Sequence, residues 1–376
     1  MTEKTTLNKH HANTPSGLIR ARGLGVPFEG KPGTYNSITD VPGVGVGYVT
    51  LIEGDSRLSI GKGPVRTGVT AVLPRRQGDL SAPVFAGYHS FNGNGEMSGT
   101  HFIEEAGVFA GPITLTNTHA CGVSRDATIE WMVSNFPEDM EDRFSLPVAA
   151  ETYDGFLNDI NGFHVTREHV FSAIGRADTE AIDEGSVGGG TGMKAYEFKA
   201  GSGTASRLVC YADRDFRVGV FVQANFGRRA EFMVRGREIG KTLAIPAMIR
   251  NTADPDLGSI IGIVATDAPL MPHQLKRLAR RCPLALARTG TVGHHGSGDI
   301  FLAFSTSNQR AAQAREGIAS LEFVPDEALD RFFEAVVQAT EEAILNSLTA
   351  NRDMTGRDGN FVPALPLAEV QKRFGG

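Results

Sequence analysis

A chain of 376 residues with 41% apolar and 21% charged side chains is long enough to bury a sizeable core and has the composition of a soluble globular protein. Its net charge of −6 is spread along the sequence without a basic block, which argues against nucleic acid as a partner. Three cysteines (Cys121, Cys210, Cys282) without Cys-x-x-Cys spacing argue against a disulfide framework or a zinc ribbon. No apolar run approaches a membrane span, and the polar stretch Met1–Ala12 lacks the apolar segment of a secretory signal, so the cytoplasm is expected.

Residues 1–18 are polar and read as a mobile arm or a partner-docking tail, with His10-His11 solvated. A first glycine cluster runs from Gly23 to Gly47, and its alternation of valine with glycine (Val44 to Gly47) fits a strand closely approached by other backbone. Val65–Leu73 is a strand closed by Pro74, and residues 83–96 are a strand running into the turn Asn92-Gly-Asn-Gly95. Pro112–Thr118 is a strand, followed by a helix from Ser124-Arg125-Asp126 with Ile129, Met132 and Val133 on one face. His119 at that strand's end is a candidate catalytic residue, although a lone histidine there is commonly structural. Ala149–Leu157 and Thr166–Ala177 read as short helices, the first carrying Tyr153.

The second glycine cluster, Glu184 to Lys194, fails the spacing of both Walker A and the dinucleotide fingerprint, because Met193 falls where each needs another residue. Gly188, Gly189 and Gly190 remain candidates for a loop whose amides face a substrate or an oxyanion. Phe216–Phe226 is a clear strand. Its Asn225 could donate to an oxyanion, an interaction worth about 3–4 kcal/mol where measured, although Asn-x-Gly is also ordinary turn chemistry. Further on, Pro272 opens a helix burying Leu275, Leu278 and Ala279. The third glycine cluster, Gly290 to Asp299, leads into the strand Ile300–Ser305. A last helix, Asp326 to about Leu348, presents Leu329, Phe333, Val336, Val337 and Ile344 inward, and residues 350–376 wrap the surface. No repeat or linker appears, so one α/β domain over 1–376 is expected.

The most informative stretch is Asp254-Pro-Asp-Leu-Gly258-Ser259, a polar turn followed at once by an apolar, β-branched run from Ile260 onward. That run reads as a buried strand beginning at the serine. Cutting Gly258–Ser259 would leave Ser259 with a hydroxyl and a free α-amine, whose reference pKa of about 8 suits it to take the hydroxyl proton. Gly-Ser before a strand is by itself ordinary turn chemistry. Ser297 and Asp299, two apart before Ile300, could share one face and meet Ser259 if the two strands are neighbours.

These stretches, with Asn36-Ser-Ile-Thr-Asp-Val-Pro-Gly-Val44, Leu115-Thr-Asn-Thr-His119, Gly188-Gly-Gly-Thr-Gly-Met193, Ala265-Thr-Asp-Ala-Pro-Leu270 and Gly296-Ser-Gly-Asp299, resemble the family of L-aminopeptidase D-Ala-esterase/amidases and β-peptidyl aminopeptidases. The similarity runs from about Gly23 to the C-terminal helix. It implies a four-layer αββα sandwich with the layers of N-terminal-nucleophile hydrolases but different connectivity. It implies self-cleavage into 1–258 and 259–376, and an oligomer, a tetramer, of processed heterodimers. Carried onto this chain, it makes Ser259 the nucleophile, Asn225 an oxyanion donor, Ser297 a second serine with Asp299 as its acid, and Tyr153 a residue lining the site. The β-peptidases carry Glu where Asp299 stands, a difference that bears on substrate choice. The implied activity is release of N-terminal residues from short peptides, amides and esters, without metal or cofactor. Acyl transfer of the ornithine acetyltransferase type is the alternative, and a non-catalytic binding protein with glycine-rich loops is the third reading.

Overall fold

The computed structural model describes residues 7–243, 247–252 and 258–375; most of the turn expected before Ser259 (Asp254–Leu257) lies outside them. The apolar runs form strands β1 Gly45–Glu53, β2 Val65–Leu73, β3 Val84–Gly93, β4 Val108–Phe109, β5 Ile113–Asn117, β6 Val148–Thr152, β7 Ser202–Tyr211, β8 Arg214–Asn225, β9 Ser259–Thr266 and β10 Gly298–Ser305. They make a four-stranded sheet ordered β1-β2-β5-β6 and a six-stranded sheet ordered β4-β3-β10-β9-β8-β7. Both sheets are mixed, with β5 parallel to β6 and β9 parallel to β10.

Successive side chains of a strand face opposite ways, so each sheet serves two apolar layers. Ile261, Ile263 and Ala265 of β9, with Ile300, Leu302 and Phe304 of β10, face a core shared with Val46, Val72, Ile113 and Leu115 of the smaller sheet. Their neighbours Ile260, Val264, Phe301 and Ala303 face a second core, closed by helices α3 Pro272–Ala279, α4 Cys282–Thr289 and α5 Asp330–Thr349. A third core lies under helices α1 Cys121–Asn135 and α2 Arg167–Gly175 on the far side of the smaller sheet. Three cores between two sheets and two helix layers make the αββα sandwich that the family resemblance implies.

Several expectations are corrected. Ala149–Leu157 is not a helix: Val148–Thr152 is strand β6, hydrogen-bonded to β5 and buried throughout, so pairing with a distant segment overrides the helix preference of its alanines. Helix α1 begins at Cys121, three residues before the expected start, and buries Cys121, Ser124, Ala127, Thr128, Trp131 and Met132, leaving Val133 exposed. In α5, Val337 is only half-buried, while the helix's last three turns are buried all round. The N-terminal segment docks from Asn8 onward, with Asn8 Nδ2 donating to the Thr34 carbonyl and His11 Nε2 bonded to the Gly33 carbonyl at 2.9 Å.

A buried ion network ties that N-terminal segment to α5. Glu342 accepts from Arg22 Nε at 2.7 Å, Arg207 Nη2 at 2.7 Å and Asn36 Nδ2 at 2.6 Å. Burial alone would raise the Glu342 carboxyl, but the guanidiniums of Arg207, Arg22 and Arg20 outweigh it and hold the carboxyl at about 2. A depressed carboxylate stabilises the fold above its unfolded value of 4.5, and that stability is lost as pH falls through the folded value. Glu342→Gln is therefore expected to cost on the order of 3 kcal/mol at pH 7, by urea unfolding, with the difference from the parent protein shrinking between about pH 5 and pH 2.

Candidate active site

Strand β9 fixes the position of Ser259. On one edge it runs antiparallel to β8, placing Ser259 opposite Asn225; on the other it runs parallel to β10, placing Ser259 in register with Gly298. The Gly298 N–H donates to the carbonyl of Gly258 at 3.1 Å, so the peptide bond before Ser259 has its carbonyl already polarised. Gly258 and Ser259 open onto a cleft of about 300 Å³ whose other walls include Gly95, Glu96, Thr118, Glu151 and Tyr153. The Ser259 hydroxyl has no hydrogen-bond partner among the described residues.

Asn225, at the end of β8, is buried and cannot swing. Its Oδ1 accepts from the Lys194 N–H at 3.0 Å, and its Nδ2 donates to the Tyr153 carbonyl at 2.9 Å. These partners fix which way the amide faces and occupy one of its two N–H groups, leaving the second free of that bond. Ser297 and Asp299 share a face as expected: the Ser297 hydroxyl donates to Asp299 Oδ1 at 2.6 Å. The pair does not hydrogen-bond Ser259. It stands beside Gly258 instead, with Ser297 Oγ 3.3 Å from where a Cβ on Gly258 would lie. Burial pushes the Asp299 carboxyl up, and hydrogen bonds from Ser297, Asn92 and the Ile260 N–H pull it back.

Glu151 is the residue that the sequence reading missed. It is the penultimate residue of β6, is 4% exposed and lines the cleft with Ser259. The Glu96 N–H donates to its Oε1 at 2.9 Å, and the Thr118 hydroxyl donates to its Oε2. Burial pushes its carboxyl up, against those two bonds. A single carboxylate in an otherwise uncharged buried strand, Val-Ala-Ala-Glu-Thr, was the available signal; reading the stretch as a helix hid it. Tyr153 follows directly and lines the cleft.

Other candidates fall elsewhere. The amides of Gly188, Gly189 and Gly190 are committed to Thr50 Oγ1, Thr70 Oγ1 and the Val187 carbonyl, so these glycines do not offer an oxyanion loop. They are small because the interior requires it: a Cβ on Gly189 would sit 2.5 Å from the Leu115 carbonyl oxygen. His119 is exposed and stacks on Phe163, 6.0 Å between ring centres. Its charge favours the ionised form of Glu151, but it does not line the cleft.

The sequence profile of Peptidase family S58 matches residues 36–362. The chain belongs to that family. It is 50% identical over 364 residues to the beta-peptidyl aminopeptidase BapA of Sphingosinicella microcystinivorans, covering 94% of this chain and 91% of that protein. Among solved structures it is similar to the L-aminopeptidase D-Ala-esterase/amidase of Ochrobactrum anthropi, described as a new variant among the Ntn hydrolase fold, with TM-score 0.87, 47% identity and coverage of 95% and 99% of the two chains. A protein of Pyrococcus horikoshii OT3 superposes with TM-score 0.88 at 41% identity over the same shares. This S58 member is accordingly a hydrolase of the aminopeptidase kind, on an N-terminal-nucleophile fold.

Behind Tyr153, Asp154 is wholly buried, and burial pushes its carboxyl to about 7 despite hydrogen bonds from Thr67 and Asn158. A carboxyl raised from 3.8 binds its proton more tightly when folded, so the fold loses stability as pH climbs toward that value. Asp154→Asn does not titrate. Its stability advantage over the parent protein should grow by on the order of 2 to 3 kcal/mol between pH 5 and pH 8, read from urea midpoints at the two pH values.

Proposed function

We propose that the chain is a single unit that cuts itself between Gly258 and Ser259 and then works as an aminopeptidase, amidase and esterase through the new N-terminal serine. The observation that carries this is the placement of Ser259 at the start of a fully paired strand, opposite Asn225 and facing a cleft that holds a buried carboxylate.

In self-cleavage the Ser259 hydroxyl attacks the Gly258 carbonyl carbon, whose oxygen already accepts the Gly298 N–H. The C–N bond breaks as the acyl group moves from nitrogen to oxygen, and water hydrolyses the resulting ester, freeing a Gly258 carboxylate and a Ser259 amine. Ser297, backed by Asp299 and adjacent to Gly258, supports the proton transfers here, while no free amine exists, and again in turnover beside that amine.

In turnover the Ser259 amine takes the proton of its own hydroxyl, which attacks the carbonyl of a substrate's N-terminal residue. The second N–H of Asn225 receives the oxyanion. The proton leaves with the departing amine or alcohol, and water hydrolyses the acyl-enzyme. Glu151 holds the substrate's free ammonium: its direct hydrogen-bond partners are the Glu96 N–H and the Thr118 hydroxyl, both neutral, and the incoming ammonium supplies a cation in contact. This selects short peptides, amides and esters with an unblocked N-terminus. We include β-residues among the substrates on the similarity to a beta-peptidyl aminopeptidase, and assemblies of processed heterodimers on the family resemblance. Acyl transfer is not favoured, since the family is one of peptidases. Three unpaired cysteines fit a reducing compartment, and we place the protein in the cytoplasm.

Intact mass under denaturing conditions should give two species corresponding to 1–258 and 259–376; a single full-length mass would sink the mechanism. Ser259→Ala should remain whole and lose activity about a thousandfold or more. In processed Glu151→Gln, kcat/KM on a free-amine amide substrate should fall by roughly ten- to a hundredfold, the range of a lost bond to a charged group. Unchanged kinetics there would remove Glu151 from amine binding.

A further inference from the structure

We infer that Asn92 is a positioning residue: it holds the Asp299 carboxylate so that its other oxygen is presented to the Ser297 hydroxyl. The inference rests on the proposed role of the Ser297–Asp299 pair and assigns what aims that pair.

The argument begins with strand register. β3 and β10 run antiparallel, pairing Phe85 with Ser305 and so on up to Ser90 with Ile300. Continued regularly, the ladder would set Asp299 opposite Phe91, whose ring offers no donor. The register slips here instead, and Asp299 pairs with Asn92. Phe91 becomes the extra residue of a bulge and stands 46% exposed. A one-residue slip exchanges the two faces of a strand, so this bulge replaces an aromatic ring by an amide at the acid.

The amide is used. Asn92 Nδ2 donates to Asp299 Oδ2 at 3.1 Å and, more weakly, to the His294 carbonyl at 3.4 Å. That carbonyl also accepts the Ser297 N–H at 2.9 Å. One side chain thus touches both the acid and the turn that carries its serine. With Asn92 on Oδ2 and Ser297 on Oδ1, the carboxylate is held from both sides, while the Ile260 N–H bonds it from the next strand. Asn92 does not line the cleft, so substrate contact does not account for its position.

The titratable groups facing Asp299 are few. His294, on the preceding loop, favours the carboxylate and is itself paired with Glu231 at 2.9 Å; the buried phenol of Tyr196 is near enough for the Asp299 charge to raise it. Neither replaces the donor that Asn92 supplies. Removing that donor should raise the pH at which Asp299 takes up a proton and let its carboxylate rotate away from Ser297. The consequence is slower self-cleavage and slower turnover, with substrate binding largely spared.

The test uses the full chain as wild type, Asn92→Ala and Asn92→Asp. Self-cleavage is followed by intact mass during synthesis, and kcat, KM and the pH profile of kcat/KM are measured on the processed fraction with an aminoacyl p-nitroanilide. For Asn92→Ala the expected result is slowed cleavage, kcat down roughly ten- to a hundredfold with KM within about threefold, and an acid limb moved to higher pH. Asn92→Asp keeps the shape of the side chain and sets a second carboxylate against Asp299, so its acid limb should move further; this variant decides the question if Asn92→Ala does not fold. The inference is overturned if both variants keep the wild-type kcat and acid limb. It is also overturned if lower thermal stability is the whole effect, with activity per folded molecule unchanged. A wild-type protein that neither cuts itself nor turns over the substrate overturns the underlying reading together with this one, which separates the two failures.

Discussion

Strand β9 is confined on every side. Both of its edges are hydrogen-bonded, to β8 and to β10, and both of its faces are packed into apolar cores. Each buried isoleucine or valine contributes about 1.5–3 kcal/mol by leaving water, so the strand as a whole cannot shift by a residue without exposing its apolar set. Ser259, as its first residue, inherits that rigidity. The positions of Asn225 and Gly298 follow from the same pairing, and so do the neighbours Ser297 and Asp299. A site at a strand end built this way requires no loop to close before its groups are in register.

The buried carboxylates divide by the partners they are given. Glu342 is surrounded by the guanidiniums of Arg22 and Arg207, which settle its charge and make it a structural anchor. Glu151 and Asp299 have only neutral donors in direct contact: a hydroxyl and an amide N–H for the first, a hydroxyl, a side-chain amide and a backbone N–H for the second. Neutral donors orient a carboxylate without neutralising it. Burial therefore raises both carboxyls and leaves them able to receive a cation or a proton, which is what the roles proposed for them require.

The legible parts of the sequence were those in which local pattern and final environment agree. Val65–Leu73 and the run after Ser259 are apolar, β-branched stretches; the first is a buried strand with the expected limits and the second a buried strand with the expected start at the serine. The Ser297–Asp299 contact was legible because it is local, two residues apart on one face. Glu151 was not, because the alanines around it favour helix while a parallel pairing with β5, over thirty residues away, makes them strand. The Gly188–Gly190 run misled for a related reason: a glycine kept small by a distant carbonyl looks the same in sequence as one that offers its amide to a ligand. Asn92 was invisible as well, since a bulge is a property of two strands and only one of them can be read at a time.

The same confinement bears on whether the chain can tolerate a cut before Ser259. A broken peptide bond frees two new termini, but β9 on the C-terminal side still pairs with β8 on the N-terminal side over eight residues, from Ser259 to Thr266. Helix α5 packs on β7 and β8, and its Glu342 is bonded to Arg22, Asn36 and Arg207, all from the other side of the cut. The contacts that define the site therefore cross between the two pieces without relying on the Gly258–Ser259 bond. Losing that bond costs the fold none of them, while it gives Ser259 the amine that its hydroxyl otherwise lacks. The proposed scission and a stable candidate site are compatible in this architecture because Ser259 is held by its neighbours in space and not by its neighbour in sequence.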